Sequence, residues 1–504
     1  MPTSASEDLI RRIVTHRNTR EVMGAMLGIA LAWIVGKSIA GEKFGFLIAL
    51  LGATVFLLAF FNRHSIVVLF PIAIALPNIG LDIPGPWAIT VEDAFVLLTF
   101  SGYLTRSIIN RQFIIPRDDR IALPFLLFVM IAILCITKVA WVSPNNILFN
   151  SKELMRLTML ALFYIMLVDV LDSPEQILRL VKWLLVWALW MAGISYYIYF
   201  THSPFWYYIL TMNPAYIFLR TKILRMISIA GSTSYTGIYY ASILSLATHY
   251  LPLFRDKGRR VWGWLLLLLI LSCIVLTFNR GTWVGILIGL SVLSMKGYIS
   301  RRRVVVMTLL LAGITVLMTT SLFGQIDVEQ QVVDFVHYSR SSAESRLVRW
   351  VSAINVILEH PLMGVGYNNY AFVYGHYSMY EGVSSMYGSP HNMFVDVITG
   401  TGFLGFGVFM TLIVRLWRQM AANLRAALTP DMARLSRGIF LAYLIFLGSG
   451  LFDSFLFKPH HSSYLIVAIW AMSTAIHRLR IGYYPEHSIV LAAESPPAAE
   501  EPKP

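Results

Sequence analysis

Charged residues and cysteines are both scarce in this sequence of 504 residues. Only 13% of the residues are Asp, Glu, Lys or Arg and 57% are hydrophobic, whereas a soluble protein of ordinary composition carries about 25% charged residues. The two cysteines, Cys135 and Cys273, lie inside apolar stretches, which excludes a disulfide framework or a cysteine metal site, and we interpret them as small core residues. No segment of more than about 70 residues is free of long apolar runs, so a sizeable soluble domain is excluded.

What the sequence has instead is a series of apolar runs, each roughly 17–25 residues long and therefore able to cross a bilayer as a helix. They predict an all-α polytopic membrane protein with about 14 transmembrane helices. The first run has no cleavage site after it, so we interpret it as a retained anchor. The predicted spans are 23–40, 44–61, 65–80, 91–109, 121–138, 153–171, 176–200, 228–252, 262–278, 282–296, 303–322, 390–415, 437–453 and 462–478.

The basic residues predict how the chain is oriented. The net charge of +13 is explained by cytoplasmic loops rich in Lys and Arg, so we expect no nucleic-acid partner. With both termini in the cytoplasm, every strongly basic loop falls on the cytoplasmic side. The predicted organisation is a cytoplasmic basic N-terminus at 1–22, transmembrane helices 1–11 within 23–322, a large periplasmic loop at 323–389, transmembrane helices 12–14 within 390–478, and a cytoplasmic disordered tail at 479–504.

The same topology places several polar side chains at one outer water–membrane interface. A boundary arginine is costly, so each calls for an anionic partner or a water-filled cavity. Lys222, Arg225 and Arg280 could instead extend to lipid phosphate. The residues are Arg156, Lys222, Arg225, Arg280 and His391.

Two of these positions have a further structural alternative. Arg156 could pair with Glu153 one turn earlier. His391 could belong to a helix start in which Ser389 is the N-cap and Pro390 lies in the first turn. A histidine can also exchange a proton near neutral pH, which the activation of a hydroxyl group requires. Near the outer start of the fourth span, Glu92 and Asp93 fit either first-turn acids or catalytic carboxylates.

The large outer loop contains a predicted amphipathic helix. Apolar residues recur at helical spacing over Arg346–His360, which predicts a helix able to lie on the membrane surface. Arg346 and Arg349 are one turn apart and could grip a phosphate together. The tyrosines that follow, at 367, 370, 374, 377, 380 and 387, suit either sugar binding or an interfacial aromatic belt.

Several motifs in and before this loop resemble a known family. Arg-x-x-Arg-Trp (346–350), Pro-Leu-x-Gly-x-Gly (361–366), and His-Asn (391–392) followed by Gly-x-Gly-x-x-Gly (400–405) resemble the signature region of the O-antigen ligase and polymerase superfamily. Thr-Phe-Asn-Arg-Gly (277–281) resembles its Thr-x-Ser-Arg-Gly turn, with Asn279 where serine is usual. Arg225 with Gly-Ser-Thr-Ser (231–234) is similar to its Arg-x-x-Gly-x-x element, although the spacing is longer here.

The resemblance implies a metal-independent, inverting glycosyltransferase without a cofactor, in the bacterial inner membrane. Its donor would be an undecaprenyl-diphosphate-linked glycan at the periplasmic face, and its acceptor a carrier-linked glycan (polymerase) or a lipid A core (ligase). The other partners would be membrane lipids and polysaccharide-assembly proteins. The large number of spans and the long outer loop favour the polymerase. The implied roles are catalysis for His391, Arg280 and Arg156, and substrate binding for Arg225, Lys222, Arg346 and Arg349.

The guanidinium groups suit this chemistry, because a diphosphate leaving group develops negative charge and arginine donates in a bidentate manner to phosphate oxygens. A lipid-linked glycan flippase or transporter is an alternative from another class, and a non-catalytic assembly partner is a second. Transporters carry ionisable residues near mid-bilayer and usually have repeated halves. Here the span centres are nearly free of charge, Asp396 being the main exception.

Overall fold

The computed structural model describes residues 45–75, 80–81, 89–110, 119–201, 226, 232–248, 257–302, 304–309, 313, 346–378, 389–426, 429–454 and 461–482. These residues are almost entirely helical, which confirms the all-α prediction. The helices are α1 Gly45–Phe61, α2 Ile66–Ile74, α3 Val91–Ile109, α4 Ala122–Val142, α5 Ile147–Val170, α6 Pro174–Thr201, α7 Thr233–Ala247, α8 Lys257–Leu276, α9 Arg280–Met295, α10 346–359, α11 Tyr370–Val373, α12 Met393–Arg425, α13 Pro430–Gly450 and α14 His461–Arg480.

The remaining regular elements are small. Three-residue 3-10 turns precede α2 and α5, a four-residue turn follows α11, and β1 Gly80–Leu81 pairs antiparallel with β2 Ile89–Thr90. Among the described residues, four helices are long and apolar enough to cross a membrane, namely α4, α6, α12 and α13. The full number of spans and the periplasmic position of the large loop stay predictions.

Small residues bring α9 and α13 into close contact. Gly281, Gly285 and Gly289 recur every four residues along one side of α9. A methyl group placed on Gly285 would lie 2.6 Å from Ser449 Oγ on α13. Such spacing lets helix backbones approach closely in a membrane, where packing and not hydrophobic burial drives association. The contact holds the first turn of α9 beside the last turn of α13.

A polar layer joins the helices at one end of the bundle. Arg63 Nη2 lies 2.7 Å from Asp172 Oδ2, and Tyr103 donates to Asp169 at 3.0 Å. Arg415 donates to the backbone carbonyl of Arg120 at 2.8 Å. These segments are all ones for which loop charge predicts a cytoplasmic position, so the structure groups them at one end, and the side of the membrane that they face stays a prediction.

Helix α12 is kinked where a turn of the chain packs into it. Gly402 has φ 62° and ψ −167°, which is outside helical geometry and which a residue with a Cβ adopts only at a cost. The turn 361–366 supplies hydrogen-bond partners at the kink: Phe403 N donates to Pro361 O at 2.8 Å, and Val365 N donates to Thr399 O at 2.9 Å. The Pro-Leu-x-Gly-x-Gly motif (361–366) and the Gly-x-Gly-x-x-Gly motif (400–405) therefore pack against each other.

Candidate functional site

His391 stands immediately before α12. The N-cap of this helix is Asn392, whose side chain accepts from the backbone N–H groups of Phe394 and Val395 at 3.0 and 3.3 Å. The sequence-based alternative with Ser389 as the N-cap is therefore wrong, although Ser389 Oγ does accept from His391 N at 3.3 Å. The imidazole is 39% exposed, and its residue has a φ of 48°, which is uncommon outside glycine. The ring therefore stands outside the helix, where it remains accessible.

An aspartate that sequence reasoning missed faces this histidine. Asp453 follows the end of α13, and its Oδ1 atom lies 3.4 Å from His391 Nδ1. Burial by itself would raise the pKa of Asp453, but the hydrogen bond and charge of His391, a hydrogen bond from Ser234, and the backbone N–H of Ser454 lower it to about 2. The carboxylate is therefore ionised at neutral pH, when a protonated Nδ1 can donate to it and leave Nε2 as the accepting nitrogen.

Helix α10 fastens the segment that leads into His391. Arg349 Nη1 donates to Ser389 O at 3.1 Å, and Trp350 Nε1 donates to Pro390 O at 2.9 Å. This helix confirms the amphipathic helix predicted over Arg346–His360. The Arg-x-x-Arg-Trp motif thus acts at least partly through the backbone before His391.

Phe452 brings two of the predicted arginines to the same place. The guanidinium carbon of Arg346 lies 6.0 Å from the centroid of the Phe452 ring, within the range of a cation–π contact. A methyl group placed on Gly281 would lie 2.9 Å from Phe452 Cβ, so the start of α9 packs on the same residue. Arg280 is the first residue of α9 and is half-buried.

The turn before α9 is held by its own side chains. Asn279 is the N-cap, accepting from Gly281 N at 3.0 Å and donating to Thr282 Oγ1 at 3.0 Å. Asparagine and serine are both good N-caps, which explains how Asn279 can stand where the family has serine. The structure therefore gathers the start of α9, Arg346 and the His391–Asp453 pair around the segment that follows α13.

A family model described as O-antigen ligase matches residues 265–410. This part of the chain is similar to the O-antigen ligase family. This match confirms the resemblance to the O-antigen ligase and polymerase superfamily, and its range includes Arg280, Arg346, Arg349 and His391. The family implies a bacterial membrane enzyme of the glycosyltransferase type that acts on lipid-linked glycan donors and acceptors. A search of curated proteins gave no match.

Lys222 and Arg225, two of the predicted substrate-binding residues, precede the matched range and lie outside the described residues. The neighbouring Met226 is described, and its N–H donates to Leu276 O at 2.8 Å at the end of α8. Ser234, at the end of the Gly-Ser-Thr-Ser motif, bonds to Asp453. Their binding roles stay predictions.

Arg156 lies before the matched domain and is only 6% exposed. Its Nη2 atom lies 2.7 Å from Asp93 Oδ2 and its Nη1 atom lies 3.1 Å from Glu153 Oε1. The pairing with Glu153 is the alternative that the sequence had left open, and Asp93 joins it. Direct contact of Arg156 with a diphosphate stays a prediction, and it would require a rearrangement of this ion cluster.

The sugar-binding interpretation of the tyrosines is wrong for three of them. Tyr367, Tyr370 and Tyr374 are 0%, 1% and 4% exposed, so they form core and not a sugar platform. The hydroxyl of Tyr377 lies 2.9 Å from His360 Nε2. Tyr380 and Tyr387 lie outside the described residues.

Sequence reasoning missed Asp453 and Phe452 because they are distant in the chain from the signature loop. The available signal was a single aspartate in Leu-Phe-Asp-Ser-Phe (451–455), next to the outer end of an apolar span. A lone acid at such a position does not indicate its partner, and only the close packing of α9, α12 and α13 brings it to His391.

Proposed function

We propose that the protein is a membrane glycosyltransferase that polymerises undecaprenyl-diphosphate-linked repeats of an exopolysaccharide or O-antigen at the periplasmic face of the inner membrane. The observation that carries the proposal is the His391–Asp453 pair, accessible and flanked by Arg346 and the start of α9. A proton acceptor beside cationic groups is the combination that glycosyl transfer from a diphosphate requires.

His391 acts as the general base in this proposal. Its Nε2 atom takes the proton of an acceptor hydroxyl while the hydroxyl oxygen forms a bond to the anomeric carbon of the donor. The bond from this carbon to the phosphate oxygen breaks at the same time, and its electron pair leaves with the lipid diphosphate. The single displacement inverts the anomeric configuration. Asp453 orients the imidazole and stabilises the imidazolium that forms.

Arg280 and Arg346 neutralise the charge that develops on the leaving diphosphate, and Arg225, Lys222 and Arg349 assist in binding. A guanidinium offers planar paired donors that fit phosphate oxygens, so no metal ion is required. Loss of one such donor costs on the order of 10²–10³ in rate. Arg156 holds α3 and α5 together through Asp93, and a direct role toward the diphosphate is its alternative.

A ligase that transfers the glycan to lipid A core is the second candidate, because the matching family description itself names an O-antigen ligase. The large number of predicted spans and the long outer loop support the polymerase. Both reactions use the same donor chemistry and differ in the acceptor.

The test is transfer by the purified protein, in nanodiscs with EDTA, from a lipid-diphosphate glycan to either a second carrier-linked repeat or a lipid A core. Wild type is compared with His391→Ala, Arg280→Ala and the exposed control Arg301→Ala. Chain growth in wild type and Arg301→Ala, abolished in the other two, supports the polymerase. Transfer to the core alone makes the protein a ligase, and activity in His391→Ala or dependence on added metal contradicts the proposal.

A further inference from the structure

The outward side of α10 carries a continuous apolar ridge. Leu347, Val351, Ile354 and Leu358 recur at three- and four-residue intervals and are 57%, 40%, 55% and 75% exposed. Leu362, just beyond the helix, is 65% exposed. Five large apolar side chains in one row are more than the scattered exposure of an ordinary surface, so the ridge calls for a partner.

The ridge runs directly onto the surface of a membrane-spanning helix. The N–H groups of Phe403 and Leu404 donate to Pro361 O at 2.8 Å and Leu362 O at 3.3 Å. Both of these α12 side chains are themselves exposed, at 55% and 53%. The apolar row of α10 is therefore continuous with an exposed apolar side of α12.

The contact lies well below the outer end of α12. Arg415 marks the other end of this span by its bond to Arg120 O, just before the first turn of α4. About 20 helical residues cross a hydrocarbon core of about 30 Å, which places the outer boundary near residue 395. Residues 399–404 then lie about 6–13 Å inside the hydrocarbon.

Helix α4 gives the same depth independently. A methyl group on Gly366 would lie 2.3 Å from Val139 Cγ2 and 3.2 Å from Cys135 O. Val139 and Cys135 are three and seven residues, or about 5 and 10 Å, before the end of α4. Three residues after Gly366 the chain is level with the end of α4, because Asn369 Oδ1 accepts from Ser143 just beyond this helix end.

The other end of α10 stays at the level of the interface. Arg349 and Trp350 bind Ser389 O and Pro390 O, which precede α12. The helix therefore descends along its length. Non-helical backbone is tolerated at membrane depth only where protein satisfies it, and here Gly364 N and Val365 N donate to His360 O and Thr399 O at 3.0 and 2.9 Å.

We propose that α10 and the turn 361–366 form a re-entrant element whose ridge is covered by the hydrocarbon of the outer leaflet. The other flank of the helix is polar, and in this proposal it faces water: Asn355 donates to Tyr377 O at 3.1 Å, and Glu359 is 63% exposed in its side chain. Leu358 and Glu359 are thus adjacent, similarly exposed and directed to different media. The element inserts into lipid whichever glycosyl transfer the protein catalyses.

The test reads depth and not activity. Single cysteines at Leu347, Ile354, Leu358 and Glu359 are labelled with a nitrobenzoxadiazole fluorophore in a chain in which the buried Cys135 and Cys273 are replaced by alanine. The labelled chains are placed in phosphatidylcholine nanodiscs that contain a doxyl quencher either near the headgroup or deep in the acyl chain, and aqueous iodide is added separately. Gel filtration shows whether each variant is folded.

We expect the labels at 354 and 358 to be quenched several-fold more by doxyl lipid than the label at 359, which iodide quenches instead. The deep quencher should favour 358 and the shallow one 347. Equal iodide quenching at 354, 358 and 359 would overturn the lipid contact. Equal depth at 347 and 358 would overturn the re-entrant insertion and leave a helix lying flat on the surface.

Discussion

Two ionic groups of this protein differ in how far their charged side chains are exposed to solvent. The cluster of Arg156, Asp93 and Glu153 is closed, with side chains 7%, 3% and 6% exposed. In the His391–Asp453 pair the side chains are 39% and 23% exposed. A buried, mutually bonded ion cluster fits a structural role, whereas an accessible pair with an ionised acid is arranged for reaction.

The largest effect on rate should follow from His391→Ala. We expect the transfer rate to fall by about 10²–10⁴-fold, the usual contribution of a positioned acid–base group. The melting temperature should change little, because the partly exposed ring fills no core position. Transfer assays and thermal unfolding of the same preparation measure both. A matched control is His376→Ala, since His376 lies in the 3-10 turn after α11. Full activity in His391→Ala would show that the His391–Asp453 pair has no part in the mechanism.

The closed cluster should respond in the opposite way. Arg156→Met leaves two buried carboxylates without their cation, and breaking such a pair costs about 3–5 kcal/mol. We expect loss of folded protein, measured as the monodisperse yield after gel filtration. Replacing the whole cluster, as Arg156→Met with Asp93→Asn and Glu153→Gln, should restore much of this yield.

The triple variant also decides what Arg156 does. If the well-folded triple variant transfers glycan near the wild-type rate, Arg156 has a structural role. A loss of about 10²-fold or more in a well-folded triple variant would instead indicate that Arg156 contacts the diphosphate.

Asp453→Asn should sharpen the contrast, because it keeps the shape of the pair and removes its charge. We expect a rate loss of about tenfold to a hundredfold, as for a coupling of about 1.4–3 kcal/mol. Transfer assays of Asp453→Asn and wild type under the same conditions measure the loss, and an unchanged rate would contradict the positioning role of Asp453.

Asp453 itself is expected to respond to pH only at the acid end of the range. Its pKa is lowered from 3.8 to about 2, so its stabilising contribution is fully present above the ordinary value and is lost only as the pH falls toward 2. Activity lost above about pH 4 must therefore arise from another group. Thermal unfolding between pH 2 and 7 would show the Asp453 contribution as a decline confined to the acid end.

The sequence predicted the helices better than the site. The lengths of the apolar runs predicted the bounds of α4 and α6 to within a few residues, because a bilayer sets the length of a span. Helical spacing of apolar residues predicted α10. Loop charge alone also predicted that Arg280, Arg346 and His391 lie on the same side of the membrane. The sequence could not give Asp453, because that contact depends on the approach of α9 to α13 through glycines. It could not show that Arg156 is enclosed, since Asp93 is 63 residues away in the chain.

The smallest effect should come from weakening the contact between Trp350 and the backbone that precedes His391. Trp350→Phe removes the N–H group that donates to Pro390 O and keeps most of the ring's packing. A net hydrogen bond is worth about 0.5–1.5 kcal/mol, so the rate should fall by about twofold to tenfold, through kcat and not KM, if α10 holds His391 in position. Trp417→Phe is the control, because Trp417 packs against Phe440 on the part of α12 far from the kink. A change in KM alone would mean that Trp350 contacts substrate, and equal rates in both variants would mean that Asp453 and Asn392 suffice to hold His391.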